Sequence, residues 1–98
     1  MTREEIISKL RSSAAALRAE GVTKLAIFGS RARGDARPDS DLDVLIEVDP
    51  QSKFSLLNLS GVGLIVEEIT GLKAQVAMQR SLDPRMAERI ADDVIEVF

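Results

Sequence analysis

The sequence contains no cysteine and few aromatic residues. The lack of cysteine excludes disulfide bonds and metal sites built from thiolates, and it fits a reducing compartment. Three phenylalanines are the only aromatic residues, and Phe28, at the end of an apolar run, is expected in the core. Few side chains therefore remain for stacking on nucleic-acid bases.

Positive charge is in the minority, with 13 lysines and arginines against 16 acidic residues and a net charge of −3. Nucleic-acid binding generally needs a basic surface, so no direct nucleic-acid partner is expected. The N-terminal stretch MTREEIISKL carries acidic residues and no long apolar run. We therefore expect neither a signal peptide nor a membrane span, and a cytoplasmic location. The length of 98 residues predicts a single domain over residues 1–98.

The spacing of apolar residues predicts alternating helices and strands. A capping box formed by Thr2 and Glu5 opens an amphipathic helix that runs to Gly21. A long helix covers SKFSLLNLSGVGLIVEEITG and ends at Gly71, and another begins at the Asp83-Pro84 pair and runs to about residue 92. Apolar runs predict strands at residues 23–28, 41–48 and 73–78, and at the C-terminal VIEVF. This order predicts an α/β (α+β) fold, with a small mixed sheet of three to four strands flanked by helices.

Residues 29–43, GSRARGDARPDSDLD, contain the first candidate site. Gly29 and Ser30 stand where the first strand turns into a helical turn. Backbone N–H groups and a hydroxyl at such a turn suit phosphate oxygens, which makes both residues candidates for nucleotide binding. Arg33 and Ser40 of the same loop are further candidates for nucleotide binding. The three arginines of this loop either neutralise phosphate or form a solvated surface, and the sequence leaves both open.

Two aspartates, Asp41 and Asp43, begin the apolar strand LDVLIEV. Side chains at alternate positions leave the same face of a strand, with Cα atoms roughly 6–7 Å apart. Two such carboxylates repel each other unless a cation lies between them, and Mg²⁺ prefers carboxylate and phosphate oxygens. We therefore predict that both aspartates bind metal and act in phosphoryl or nucleotidyl transfer. Asp41 by itself is equally compatible with a turn or cap, whereas Asp43 has no evident structural role.

The whole stretch FGSRARGDARPDSDLDVLIEV resembles the signature of the DNA polymerase beta-like nucleotidyltransferase superfamily. In detail it is similar to the minimal nucleotidyltransferases, short proteins that accompany HEPN-domain proteins as antitoxins. The resemblance implies a polymerase beta-like palm fold, with Gly29 and Ser30 on the triphosphate and Asp41 and Asp43 on Mg²⁺. It also implies transfer of a nucleotide monophosphate, AMP from ATP, to a hydroxyl of a HEPN-type toxin.

One position departs from the family's pattern. The family's third carboxylate lies on the strand after the long helix, where this sequence reads KAQVA and has Gln75. Glutamine cannot accept a proton from an acceptor hydroxyl, a role worth ~10²–10⁴-fold in general-base catalysis. Two functions therefore stay open: an active transferase, or a degenerate binding module that neutralises its partner by forming a complex. An oligomer also stays open, because VIEVF can pair with another chain as an edge strand.

Overall fold

The computed structural model describes residues 1–98 as five α-helices around a four-stranded sheet. The elements in chain order are α1 (Arg3–Ser12), α2 (Ala14–Glu20), β1 (Val22–Phe28), α3 (Gly29–Arg33), β2 (Leu42–Val48), α4 (Leu56–Thr70), β3 (Ala74–Met78), α5 (Pro84–Ile90) and β4 (Ile95–Glu96). A 3₁₀ turn at Gln79–Ser81 follows β3. None of the helices combines the length and the apolar character needed to cross a membrane.

The sheet has the strand order β3-β2-β1-β4 and is mixed. β1 pairs antiparallel with β2 and with β4, whereas β2 and β3 are parallel. Parallel neighbours need a long crossover, and α4 provides it between β2 and β3. The predicted fold class is confirmed, and the C-terminal edge strand forms at Ile95–Glu96.

Each face of the sheet has its own apolar cluster. Helices α1, α2 and α4 cover one face, and their buried residues Ile6, Leu17 and Val62 belong to one core with Ile27 and Val44 of the strands. Helix α5 covers the other face, where its Ile90 packs with Ala26, Phe28 and Leu45. Asp43 precedes Leu45 by two residues and therefore shares this second face.

The predicted N-terminal helix is correct in position but is two helices. Ser13 lies between α1 and α2 with φ −106° and ψ 14°, outside the helical region. Serine is a weak helix former because its hydroxyl competes for backbone hydrogen bonds. The bend still leaves Ile6, Leu10 and Leu17 fully buried in the same core.

Other boundaries shift by a few residues. α4 begins at Leu56 because the Ser55 side chain accepts a hydrogen bond from the Asn58 N–H, which caps the helix. Gly71 ends α4 in the left-handed conformation with φ 69°, as predicted. β2 begins at Leu42, so Asp41 lies just before the strand rather than within it.

Candidate active site

Asp43 lies at the beginning of β2, with a neighbouring strand on each side. It is opposite Phe28, the last residue of β1, and beside Gln75 of β3. The side chains before and after it, Leu42 and Val44, are buried in the core on the other face. Alternation along the strand therefore directs Asp43 to the face that α5 covers. The fold thus holds this carboxylate, half-buried, at one end of the sheet.

Gly29 makes room for that carboxylate. Its φ of +75° lies in the left-handed region, which side-chain-bearing residues rarely adopt. A Cβ atom at this position would also collide with Oδ2 of Asp43. Sequence reasoning assigned Gly29 to phosphate binding alone, but its close approach to Asp43 is a second reason for glycine here.

Gln75 contacts Asp41 directly and lies beside Asp43 in the sheet. The parallel register places it beside Asp43, and its side-chain N–H donates to Oδ2 of Asp41 over 3.3 Å. An amide therefore stands next to the two carboxylates, on the strand where the resemblance implies a third carboxylate. Its hydrogen bond orients Asp41, but an amide does not accept a proton as a base would.

The two aspartates are electrostatically coupled. Burial raises the pKa of Asp43, the negative charge of Asp41 raises it further, and the Arg33 guanidinium partly offsets both effects. Mg²⁺ sites commonly use one or two carboxylates and complete their coordination with water and substrate phosphate. The pair fits such a site, because a cation would remove the repulsion that raises this pKa. No group of three or more aspartate, glutamate, histidine or cysteine side chains is arranged to hold a metal ion.

The predicted loop residues occupy different environments. Arg33 donates to Asp35 over 3.0 Å and to Asp93 over 2.8 Å. Ser40 has a structural contact, since its hydroxyl accepts from the backbone N–H of Arg37 over 2.9 Å. Ser40 is therefore engaged in shaping the turn that leads into Asp41.

Arg31 is an anchor within the same loop. Only 7% of it is exposed, and its guanidinium donates to the backbone carbonyls of Pro38 and Ser40. A buried guanidinium with these carbonyl partners fixes the loop against α3. The sequence left two interpretations of the loop arginines open, phosphate neutralisation or a solvated surface. Arg31 has a different role, because it is buried and holds the loop in place.

A cleft of about 480 Å³ lies between the start of α3 and helix α5. Ser30 and Asp43 line one side, and Met86, Arg89 and Asp93 line the other. The volume is within the range of roughly 300–1,000 Å³ that is typical of small-molecule sites. The cleft therefore brings the Gly-Ser turn and the second aspartate together with residues far away in sequence.

Arg89 is the cleft residue that sequence reasoning missed. Its guanidinium forms no ion pair, and its one side-chain hydrogen bond is to the sulfur of Met86 over 3.3 Å. Arg33, on the same cleft, is already held by two carboxylates. No motif surrounds Arg89, and only the packing of α5 across the sheet brings it near Gly29 and Ser30.

A family model described as a nucleotidyltransferase domain matches residues 7–97 of the chain. A curated relative, the protein adenylyltransferase MntA of Thermococcus cleftensis, is 36% identical over 98 residues, covering 99% of this chain and 97% of its own. The similarity therefore extends well beyond the loop that first suggested the family.

Solved structures agree on the fold. A candidate minimal nucleotidyltransferase has a TM-score of 0.81 at 29% identity and covers 97% of this chain and 95% of its own. Two structures resemble the chain in fold alone. One is a toxin–antitoxin complex with AMP-PNP, at TM-score 0.71 and 13% identity over 100% of this chain and 73% of its own. The other is a tri-AMPylated Shewanella oneidensis HEPN toxin with its MNT antitoxin, at TM-score 0.63 and 10% identity over 90% of this chain and 68% of its own.

These matches confirm the resemblance inferred from FGSRARGDARPDSDLDVLIEV. The family model covers nearly every element, from α1 to the end of β4. The curated relative exceeds 30% identity over almost the full chain. The chain belongs to the nucleotidyltransferase family.

Proposed function

We propose that this protein transfers AMP from ATP to a side-chain hydroxyl of an acceptor protein, and that the acceptor is a HEPN-type toxin. One observation carries the proposal: the Gly29-Ser30 turn, the half-buried Asp43 and the unpaired Arg89 line a single cleft. The family membership and the adenylyltransferase relative support the reaction class. The AMPylated HEPN toxin bound to a protein of similar fold suggests the acceptor. Because the reaction uses ATP, we place the activity in the cytoplasm.

The charges of the cleft suit a nucleotide triphosphate with a divalent cation. Ser30 and the backbone beside Gly29 would bind phosphate oxygens, with Arg89 as the free cation on the opposite side. Asp41 and Asp43 would hold Mg²⁺, which when bound neutralises phosphate charge and favours attack at phosphorus. Arg33 reaches the same cleft and needs to release Asp35 or Asp93 to contact phosphate.

In the proposed reaction the acceptor oxygen attacks the α-phosphorus of ATP. A bond forms between that oxygen and phosphorus, the bond to the β-phosphate oxygen breaks, and pyrophosphate leaves. The hydroxyl proton passes to water, because Gln75 cannot accept it. Positioning and charge neutralisation therefore supply the catalysis, and we expect turnover to be slow without a third carboxylate.

The second candidate is a binding module that keeps the nucleotide but has lost the chemistry. The contact between the Gln75 amide and Asp41 favours it, because an amide occupies the place implied for the base. Such a protein would neutralise its partner by forming a complex. Both candidates require Asp43 for Mg²⁺-dependent nucleotide binding. They differ in whether AMP is then transferred to the acceptor protein.

The deciding experiment is label transfer from α-labelled ATP with Mg²⁺ to proteins in an extract of the source cells. The wild type is compared with Asp43→Asn, Gln75→Asp and Glu47→Gln. Glu47 is the matched control, since it is an exposed acidic residue on the same strand as Asp43 but four residues further along. Mg²⁺-dependent ATP binding is measured for each variant by calorimetry.

A discrete labelled protein with wild type and Glu47→Gln, but not with Asp43→Asn, supports the transferase. Labelling by Gln75→Asp alone supports the binding module. Unchanged Mg²⁺-dependent ATP binding by Asp43→Asn contradicts the metal assignment and both candidates.

A further inference from the structure

Two guanidiniums and two carboxylates line the cleft, and one of each forms an ion pair. The cations are Arg33 and Arg89, and the anions are Asp43 and Asp93. Nη1 of Arg33 donates to Oδ2 of Asp93 over 2.8 Å, whereas Arg89 belongs to no ion pair. An anionic ligand that enters the cleft therefore finds Arg33 already neutralised by Asp93.

Asp93 is the partner of Arg33 that lies within the cleft. The other partner, Asp35, exposes 62% of its side chain and does not belong to the cleft lining. The Asp93 side chain is only 20% exposed, and it comes from 60 residues away, just after the end of α5. The Arg33–Asp93 pair therefore joins α3 to the end of α5 across the cleft.

The Asp93 carboxylate has no function in building the turn after α5. The backbone N–H of Asp93 donates to the Ile90 carbonyl over 2.8 Å, which forms the turn without the side chain. The end of a helix also disfavours a negative charge, because the helix dipole is negative there. The carboxylate is therefore stabilised chiefly by Arg33, its one ion-pair partner.

The geometry of the Arg33 guanidinium makes Asp93 a competitor of phosphate. A guanidinium binds phosphate most firmly through two parallel N–H groups. In Arg33, Nε donates to Asp35 and Nη1 donates to Asp93, which leaves only Nη2 without a partner. A contact through two N–H groups thus requires one carboxylate to leave. Release of Asp93 frees Nη1 and Nη2 together, at the place that Asp93 occupies in the cleft.

We propose that Asp93 is an internal competitor of the nucleotide, because its carboxylate occupies the place on Arg33 that a phosphate group takes when ATP binds. This inference rests on the nucleotide site proposed above. Binding of ATP exchanges one anion for another on Arg33, and it releases the end of α5 from α3. Asp93 thereby lowers the affinity of the cleft and sets the nucleotide concentration that fills it.

The direction of one substitution effect distinguishes this role from a supporting one. A competitor weakens ATP binding, so its removal in Asp93→Asn tightens binding. An ion pair that holds Arg33 or α5 in place for the ligand gives the opposite result, since its loss weakens binding. We expect Asp93→Asn to lower the Kd for ATP with Mg²⁺ by about three- to fivefold, the range that corresponds to a partly exposed ion pair.

Asp92→Asn is the matched control. Asp92 is the neighbouring residue, and it is exposed, outside the cleft lining and in no ion pair. Its substitution removes the same charge, and we expect the wild-type Kd. A second control repeats Asp93→Asn in an Arg33→Gln chain, where no guanidinium is left to compete for and no tightening is expected. Titration calorimetry measures each Kd, and far-UV circular dichroism checks the fold.

Inorganic triphosphate separates the competition from nucleotide transfer. It carries the phosphates of ATP without the base, so Asp93→Asn is expected to tighten its binding by the same factor. Asp93→Ser, a second neutral variant, is expected to behave alike. Tighter binding of triphosphate by both variants of a protein that does not bind ATP supports the competition and contradicts the proposed function.

Unchanged or weaker binding of ATP and triphosphate by Asp93→Asn and Asp93→Ser overturns the competition. The proposed function survives that result as long as the wild type binds ATP. Equal tightening by Asp92→Asn also overturns the inference, because the effect is then one of net charge. Equal tightening with and without Arg33 overturns it as well, since Asp93 then acts on the ligand without Arg33.

Discussion

Gly29 and Asp43 constrain each other, which gives a prediction about stability. Gly29→Ala places a side chain in the left-handed region and into contact with Asp43. Gly34→Ala is the control, because Gly34 has φ +87° but nothing within 4 Å of an added Cβ. The left-handed backbone alone costs ~1–2 kcal/mol, so we expect that loss for Gly34→Ala and a larger one for Gly29→Ala.

Urea unfolding measures both losses as changes in the free energy of unfolding. Asp43→Ala in the same chain removes the collision, and the excess loss of Gly29→Ala should then disappear. Equal losses in the two single variants would mean that the space beside Asp43 is not limiting.

The carboxylate of Asp43 works against the stability of the unliganded fold. Its native pKa is raised above the ordinary 3.8 by burial and by Asp41. A raised acid pKa contributes stability below the unfolded pKa, and this contribution is lost as pH rises through the native pKa. At pH 7 the ionised group therefore destabilises the fold relative to a neutral isostere.

We expect Asp43→Asn to raise Tm by a few degrees at pH 7, since ~1 kcal/mol corresponds to roughly 4–8 °C in a domain of this size. The gain should vanish near pH 3, where Asp43 of the wild type is protonated. Calorimetry at both pH values measures it, with the exposed loop variant Asp39→Asn as control. A gain that persists at pH 3 would exclude ionisation as its cause.

Helix α5 supplies one wall of the cleft and its one free guanidinium. Asp83 caps the helix by accepting from the Arg85 N–H over 2.7 Å, and Ile90 seats it on the sheet. Arg89 is thereby held across the cleft from Ser30. This helix is predicted from the Asp83-Pro84 pair, but its place beside the Gly-Ser turn follows from packing alone.

Arg89→Ala is expected to weaken Mg²⁺-dependent ATP binding by roughly tenfold or more, because hydrogen bonds to charged groups contribute ~1.5–3 kcal/mol. Arg80→Ala is the control, an equal change of charge in the 3₁₀ turn after β3, outside the lining of the cleft. Titration calorimetry compares the two dissociation constants. Equal weakening of ATP binding by both variants would mean that Arg89 contributes only to the net positive charge and makes no specific contact with the nucleotide.

The molecule as a whole has two apolar clusters on opposite sides of one sheet, and only the one under α5 touches the cleft. Ile6 belongs to the larger cluster and Ile90 to the smaller. Ile6→Val and Ile90→Val remove the same methylene and should each cost ~0.5–1.5 kcal/mol of unfolding free energy. We expect only Ile90→Val to weaken ATP binding, because only α5 is then less firmly seated.

Thermal unfolding and ATP titration of the two valine variants test this separation. Equal weakening of ATP binding would mean that the two faces of the sheet act as a single unit. Weaker ATP binding by Ile6→Val alone would mean that the larger cluster, and not the cluster under α5, supports the cleft.

The sequence by itself determined which candidate site residues stand close together along the chain. Gly29, Ser30, Asp41 and Asp43 could be predicted as candidates because a strand-ending turn and two aspartates two residues apart lie within 15 residues. The spacing of apolar residues and the helix-capping residues likewise determined the order of helices and strands, apart from the bend at Ser13. These features depend on backbone geometry over a few residues, which a sequence pattern carries.

Only the tertiary structure decided which distant residues meet. The β2–β3 register brought the Gln75 amide to Asp41, and packing of α5 brought Arg89 to the cleft. It also turned Arg31 inward and left the leucines of α4 exposed. Such contacts depend on which faces of the sheet are covered and in what register. A single chain's local pattern does not contain that information, because packing over the whole fold sets it.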